Sequence, residues 1–234
     1  MNLAVIPARG GSRRIPGKNI RLFCGKPMMA WTIRAARKSG VFDHIIVSTD
    51  DEEIATVARN LGAEVPFMRP ASLADGRTPL VPVMRHAIEA DENRIGEPAS
   101  VAACLLATAP MMRPEDLLGA LGTLSENPEA DFVFSVASYP FPIQRALKLG
   151  GENRVSMFQP EHELTRSQDL EEAYHDAGQF YFARRDAWFD HDRIFSARSF
   201  GFVLPRHRVQ DIDTEEDWTR AELMFKVMEE LQDG

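Results

Sequence analysis

The sequence predicts an α/β fold, a largely parallel β-sheet flanked by helices on both faces. Three observations carry it. Short apolar runs of β type alternate with stretches of helical periodicity along most of the chain. Several of those runs are apolar throughout, the mark of strands covered on both faces. Glycine, proline and carboxylates stand where helices would start and stop.

With 234 residues the chain suits one domain, 1–234, with a substantial core. "LAVIP" (3–7) reads as the first buried strand. "PMMAWTIRAARKSG" (27–40) reads as a helix with apolar Met28, Trp31, Ile33 and Ala35, stopped by Gly40. "HIIVST" (44–49) is a second strand. The helix after it (50–62) starts on carboxylates, which suit the positive helix end, and closes at Gly62. A short strand is expected at 64–68, a helix around 80–90, and a strand at 100–107. Proline starts a helix at 114 that runs to 127. Strands follow at 131–138, 176–184 and 199–205, and an amphipathic helix (213–232) closes the chain. The rhythm breaks at 139–172, where three prolines and a Gly-Gly-Glu-Asn turn read either as an inserted arm or as a long surface loop.

Composition narrows the function. Twenty-seven basic against 35 acidic residues give a formal charge of −8, which argues against a general nucleic-acid or anionic-membrane binder. Cys24 and Cys104 have no Cys or His partner at zinc spacing and read as reduced thiols. No run approaches the ~20 apolar residues of a membrane-spanning helix, and the N-terminal apolar stretch is too short for a signal peptide. A cytoplasmic protein acting on small molecules, not nucleic acid or membrane, is expected.

Ligands of parallel sheets gather beyond the carboxyl ends of the strands, so the segment after the first strand matters most. There "ARGGSRRIPGKN" concentrates Arg9, Arg13, Arg14 and Lys18 around Gly10-Gly11. The glycines permit close backbone approach, successive N–H groups of such a turn can face an anion, and arginine grips phosphate bidentately. Ser12 and Asn19 add neutral hydrogen bonds. By chemistry alone the alternative is a solvated basic turn, and neither phosphate-loop pattern G-x-x-x-x-G-K-[ST] nor G-x-G-x-x-G is present. Near the other end, Asp211 and Asp213 are two residues apart, which on an extended backbone turns both carboxylates to one face. They suit Mg²⁺, or Asp213 or Thr214 merely caps the last helix.

As a whole string, "IPARGGSRRIPGKNI" closely resembles the nucleotidyltransferases that activate 2-keto-3-deoxy sugar acids with CTP, above all the cytidylyltransferases of nine-carbon (nonulosonic) acids. The resemblance runs from Leu3 to the last helix. It implies a Rossmann-like nucleotide-diphospho-sugar transferase fold, with 139–172 as an inserted dimerisation and substrate segment, and a homodimer. It implies that the Arg9–Asn19 loop wraps the triphosphate, with Arg9, Ser12, Arg13, Lys18 and Asn19 as contacts along Gly10 and Gly11. No role passes to Arg14, where relatives commonly carry a small residue. Arg69, in "RPASLA", falls where similar enzymes place an arginine beside the cytidine. The family uses the Asp-x-Asp before the C-terminal helix for metal, so Asp211 and Asp213 become the Mg²⁺ ligands. Arg9, Lys18, Asp211 and Asp213 are then the residues closest to the chemistry. The general base stays open between Asp211 and a metal-bound hydroxide.

Two stretches bear on the acid. "LLATAPMMR" has Leu106 and Ala107 where many relatives read L-L-Q-P, which argues for an acid other than N-acetylneuraminate. "TRSQDLEEAYHDAGQFYF" keeps Arg166, Gln168, Leu170 and Tyr174 of the sialic-acid pattern, but its "HDAGQFY" resembles the form in pseudaminic acid cytidylyltransferases, as does "PFPIQRALKL". By that likeness Arg166, Gln168, His175 and Gln179 are sugar contacts, with a plain turn residue as the alternative for His175. The implied reaction is CTP plus pseudaminic acid to CMP-sugar and pyrophosphate. The same transfer to N-acetylneuraminic or legionaminic acid is the alternative, and a nucleotide-binding regulator that has lost turnover is the rival of another class.

Overall fold

The computed structural model describes residues 1–230. Its strands are β1 (Asn2–Pro7), β2 (Leu22–Phe23), β3 (Lys26–Pro27), β4 (His44–Ser48), β5 (Val101–Leu105), β6 (Phe132–Ser138), β7 (Leu147–Leu149), β8 (Val155–Met157), β9 (Tyr174–Arg184) and β10 (Ser199–Val203). Its helices are α1 (Met28–Ser39), α2 (Glu52–Asn60), α3 (Leu80–Ile95), α4 (Pro114–Glu126), α5 (Arg185–Asp190) and α6 (Glu215–Glu230). The last two residues expected in the closing helix, 231 and 232, lie outside the described residues.

Six strands form one sheet in the order β10-β6-β9-β5-β1-β4. All its pairings are parallel except those of β9, which runs antiparallel to both β5 and β6. The sheet is largely parallel, as expected, with one reversed strand. No crossover helix lies between β6 and β9, so the chain leaves β6, traverses the inserted segment and returns beside it in the opposite sense. The buried residues of β1 alternate between the two faces. Ala4 and Ile6 pack with Ile33 of α1 and Leu117 of α4 on one side. Leu3 and Val5 pack with Met84 of α3 and Trp188 of α5 on the other.

Three local expectations change. The strand at 64–68 reduces to a single bridge, Glu64 to Ile46, because Pro66 has no N–H with which to continue a ladder. The helix around 80–90 extends to Ile95 and ends at Gly96 in the left-handed conformation (φ 81°). Helix α5 has no counterpart in the sequence reading; Trp188 fixes it, fully buried and donating from Nε1 to the Ala102 carbonyl at 2.9 Å.

The segment 139–172 is an arm rather than a featureless loop. Its β7 and β8 pair antiparallel as a two-stranded ribbon separate from the main sheet. It carries apolar side chains into solvent: Phe141 is 79% exposed, Leu149 72% and Leu164 94%.

Arg208 reaches from the stretch before α6 to Asp116 in the first turn of α4, a bidentate pair with Nη2–Oδ1 at 2.9 Å and both residues buried. Removing one partner strands the other charge. Asp116→Ala should cost about 3–5 kcal/mol in urea unfolding, and a loss below about 1 kcal/mol would contradict this account of the pair.

Candidate active site

A cavity of about 730 Å³ opens beyond the carboxyl end of β1, lined among others by Arg9, Ser12, Arg13, Arg14, Lys18 and Asn19. The loop is shaped by what its backbone approaches. The Gly10 N–H donates to Asp50 Oδ1 at 3.0 Å, and a Cβ on Gly10 would stand 2.5 Å from Asp51 Oδ2 and 2.9 Å from Asp51 Cβ. Asp51 cannot yield, since its carboxylate caps α2 by accepting from the N–H groups of Glu53 and Ile54. Gly10 is therefore required by close approach. At Gly11 a Cβ would meet only the Arg9 guanidinium, at an ordinary 3.5 Å.

The structure revises how the loop presents itself. The Gly10 amide is taken by Asp50, and the Ser12 amide donates to the Gly10 carbonyl at 2.9 Å. Two of the amides expected to face an anion are thus already taken, one by Asp50 and one within the turn, and side chains supply the positive field. Asn19 is buried and donates to the Arg9 carbonyl at 3.0 Å, so it shapes the loop while lining the cavity.

The C-terminal segment is fastened to this loop. Lys18 Nζ donates to the Ile212 carbonyl and lies 3.5 Å from Asp213 Oδ1, while Arg14 Nη1 lies 2.7 Å from Asp213 Oδ2. Ile212 is buried between the two aspartates, in the same apolar cluster as Ile15 of the loop. The capping alternative falls to Thr214, whose Oγ1 accepts from the Asp217 N–H while Asp217 accepts from the N–H groups of Asp213 and Thr214. Asp213 then lines the cavity, whereas Asp211 is not among the lining residues and stands exposed on the other side of Ile212 in sequence. Partial burial first, and then the like charge of Asp213, raise the Asp211 carboxyl above its ordinary value, against the pull of Lys18 and Arg14.

Asp211 and Asp213 fit a hard divalent cation. Both offer carboxylate oxygens only; Asp211 has no ion-pair partner among the described residues, while the two oxygens of Asp213 face Lys18 and Arg14 and would be shared with the ion. No group of three or more His, Cys, Asp or Glu converges among the described residues. The rest of a Mg²⁺ shell would therefore come from phosphate oxygens and water, as that ion prefers.

Arg69 lies behind the loop, buried, with Nε donating to Ser48 Oγ at 3.0 Å and Nη2 to the Ser48 carbonyl. Burial lowers its pKa, and the nearby charge of Asp50 opposes that. Arg69 is not among the residues that line the cavity.

The four residues singled out for the sugar are not gathered within one chain. Gln179 is buried, with Nε2 donating to the Arg208 carbonyl at 2.6 Å, so it braces the Asp211–Asp213 segment from behind. His175 packs edge-on against Tyr139 at a ring distance of 5.0 Å, its Nδ1 2.8 Å from the Asp176 carbonyl oxygen. Arg166 and Gln168 are exposed on the arm and do not line the cavity.

The "HDAGQFY" stretch has a structural cause. Between Phe134 and Val136 of β6 the register against β9 jumps from Tyr181 to Asp176. Gly178 takes a positive φ of 60° in the resulting bulge, and Ser135 Oγ accepts from the N–H groups of Gln179 and Phe180. The bulge turns Asp176 toward Tyr181, whose hydroxyl donates to Asp176 Oδ2.

Sequence reasoning missed five residues here. Arg14 gains a role by pairing with Asp213, and Asp75, Gly76, Arg77 and Thr108 also line the cavity. Asp75 accepts from the N–H groups of Arg77 and Thr78, which fixes that loop and brings the Gly76 backbone up to Arg9. The Asp-Gly pair was a legible turn signal; that the turn closes over Arg9 was not.

A profile of the cytidylyltransferase family matches residues 3–232. The chain belongs to the cytidylyltransferase family. A pseudaminic acid cytidylyltransferase of Campylobacter jejuni is 45% identical over 231 residues, 98% of each chain. A Helicobacter pylori protein named pseudaminic acid cytidylyltransferase and UDP-2,4-diacetamido-2,4,6-trideoxy-beta-L-altropyranose hydrolase is 36% identical over 90% of this chain and 40% of its own. A CMP:2-keto-3-deoxy-manno-octonic acid synthetase solved with CTP superposes with a TM-score of 0.69 at 17% identity, covering 97% of this chain and 99% of that one. This cytidylyltransferase therefore shares its fold with an enzyme of an eight-carbon acid.

Since a Cβ at Gly10 would collide with a fixed helix cap, Gly10→Ala should move the whole loop. Its KM for CTP should rise about 10- to 100-fold, while Gly11→Ala stays near wild type; equal effects of the two in steady-state kinetics would refute the close-approach account.

Proposed function

We propose that this cytidylyltransferase converts CTP and pseudaminic acid into CMP-pseudaminic acid and pyrophosphate. The observation that carries the acid is the 45% identity over 98% of both chains with an enzyme of that name. The activity named for the Helicobacter relative on a diacetamido trideoxy sugar fits an acid bearing acylamino groups.

The cavity lining supports the roles of the loop, and the family resemblance supports those of Arg69 and Asp211. Arg9, Arg13 and Lys18 neutralise the triphosphate, and Ser12 and Asn19 complete the loop around it. Arg69 faces the cytidine side. The anomeric hydroxyl of the acid attacks the α-phosphorus in line, its proton is lost, and pyrophosphate departs with the bonding pair. No covalent enzyme intermediate is needed. Most of the rate comes from holding the two anions in register against fixed charge. Asp211 and Asp213 would hold Mg²⁺, which when bound neutralises the phosphate oxygens where charge builds. Arg14 shares Asp213 with Lys18, so the carboxylate is held at the loop whichever cation it faces.

The arm supports a homodimer. Leu149, Phe158 and Leu164 are exposed apolar residues, more than an isolated ribbon needs, and a second copy would cover them while bringing Arg166 and Gln168 toward the neighbouring site. Among the described residues no helix is long and apolar enough to cross a membrane. Cys24 and Cys104 are free thiols, which fits the reducing cytoplasm.

Three tests address this reading. Pyrophosphate release from CTP, with pseudaminic, legionaminic and N-acetylneuraminic acids side by side, should require Mg²⁺ and favour the first. Asp211→Asn should lower kcat at least about 100-fold with CTP binding little changed. Near-normal turnover of that variant would remove the metal assignment, and turnover of another acid alone would remove the substrate. Sedimentation should give the mass of two chains, and Leu149→Glu one chain with reduced activity; a monomeric active wild type would remove the dimer.

A further inference from the structure

The bulge in β9 leaves one carboxylate that the reaction as described does not use. Asp176 is exposed, yet it is held: Oδ1 accepts from the Gly178 N–H at 2.8 Å and Oδ2 from the Tyr181 hydroxyl. Tyr181 is a buried strut, stacked on Phe134 at 6.1 Å, and its phenol is kept protonated by burial first and then by the charge of Asp176. A carboxylate has about four acceptor positions, and these two bonds leave the others open. Among the described residues Asp176 makes no ion pair. A rigid anion without a cation is arranged to accept from neutral donors.

Its surroundings say what kind of donor. Asp176 stands at the rim of an open cleft of about 790 Å³ whose other walls include Phe134, Val136, Phe195 and Val203. Phe134 and Phe195 pack 5.0 Å apart, an apolar floor beside an acceptor. On the opposite side of the bulge Leu106 lies against Gly178, so the strand end contributes no polar side chain there. Gln179 of the same bulge donates from Nε2 to the Arg208 carbonyl at 2.6 Å, which ties this rim to the segment that carries Asp211 and Asp213. A group that joins an N–H to a methyl, as an acylamino substituent does, matches an acceptor beside an apolar wall. A carboxylate does not, so the same residue turns the acid's own carboxylate away, toward the cationic loop.

We propose that Asp176 is a specificity-determining residue: its carboxylate accepts a hydrogen bond from an acylamino N–H of the bound acid, whose acyl methyl rests on Phe134 and Phe195. This rests on the proposed function above. Loss of one hydrogen bond to a charged acceptor corresponds to about a 10- to 100-fold change.

The test is steady-state kinetics of Asp176→Ala and Asp176→Asn with pseudaminic and N-acetylneuraminic acids, alongside calorimetry of CTP binding. Asp176→Ala should raise the KM for the acid by about that factor and narrow the preference between the two acids. CTP affinity should stay within about twofold, and Asp176→Asn, which keeps one acceptor oxygen, should recover part of the loss. An unchanged acid KM with intact CTP binding overturns the proposal. So does a change in oligomeric state with the acid KM unaltered, which would give the cleft to a second copy. Should Asp176→Ala not fold, Tyr181→Phe keeps the carboxylate and removes its strut; the acid KM should then rise severalfold, and no rise overturns the proposal. A wild type that turns over none of the acids instead overturns the proposed function.

Discussion

The attachment of the cationic loop to the segment carrying Asp211 and Asp213 is the contact on which the site depends. These pieces are nearly two hundred residues apart in sequence, yet Lys18 binds the Ile212 carbonyl, and Lys18 and Arg14 share Asp213. Beneath them Ile15 and Ile212 are both fully buried in the cluster that includes Phe23, Trp31, Trp218 and Phe225. Apolar burial sets the distance, and the ion pairs set the orientation of the charges at the surface of that cluster. Neither part would suffice alone: exposed pairs are weak, and packing does not aim a carboxylate.

A second set of supports converges on the same segment from the opposite side. Gln179 in the β9 bulge holds the Arg208 carbonyl, and Arg208 is locked to Asp116 at the start of α4. The carboxylate pair is therefore braced through β9, α4 and the N-terminal loop, three elements far apart in the chain. The antiparallel course of β9 makes this possible, because it places the start of a long strand, with its bulge, at the carboxyl ends of the parallel strands. A uniformly parallel sheet would put the start of that strand at the other edge.

Charge is distributed to match. The chain is acidic overall, with a formal −8, while Arg9, Arg13, Arg14, Lys18 and Arg77 line one cavity. Concentrating cations in a concave corner of an acidic body focuses the field where a polyanion must sit and leaves the outer surface unattractive to nucleic acid.

Much of the framework was legible in the sequence. Apolar runs identified β1 and β4 as buried strands and β5 and β6 as strands, because local hydrophobic pattern decides burial. The loop after β1 stood out because four cations around Gly10-Gly11 are improbable in an acidic chain, and its likeness to a family carried the nucleotide chemistry. The Asp-x-Asp spacing was visible, but that Thr214 rather than Asp213 caps α6 was not. What the sequence could not decide is everything that depends on pairing across the chain. The reversed β9, the bulge that turns Asp176 toward Tyr181, the burial of Gln179 and the closure of Asp75–Arg77 over Arg9 arise from long-range contacts. A local pattern tells which face of a segment seeks the core; only the packed structure fixes which neighbour each face and each charge will meet.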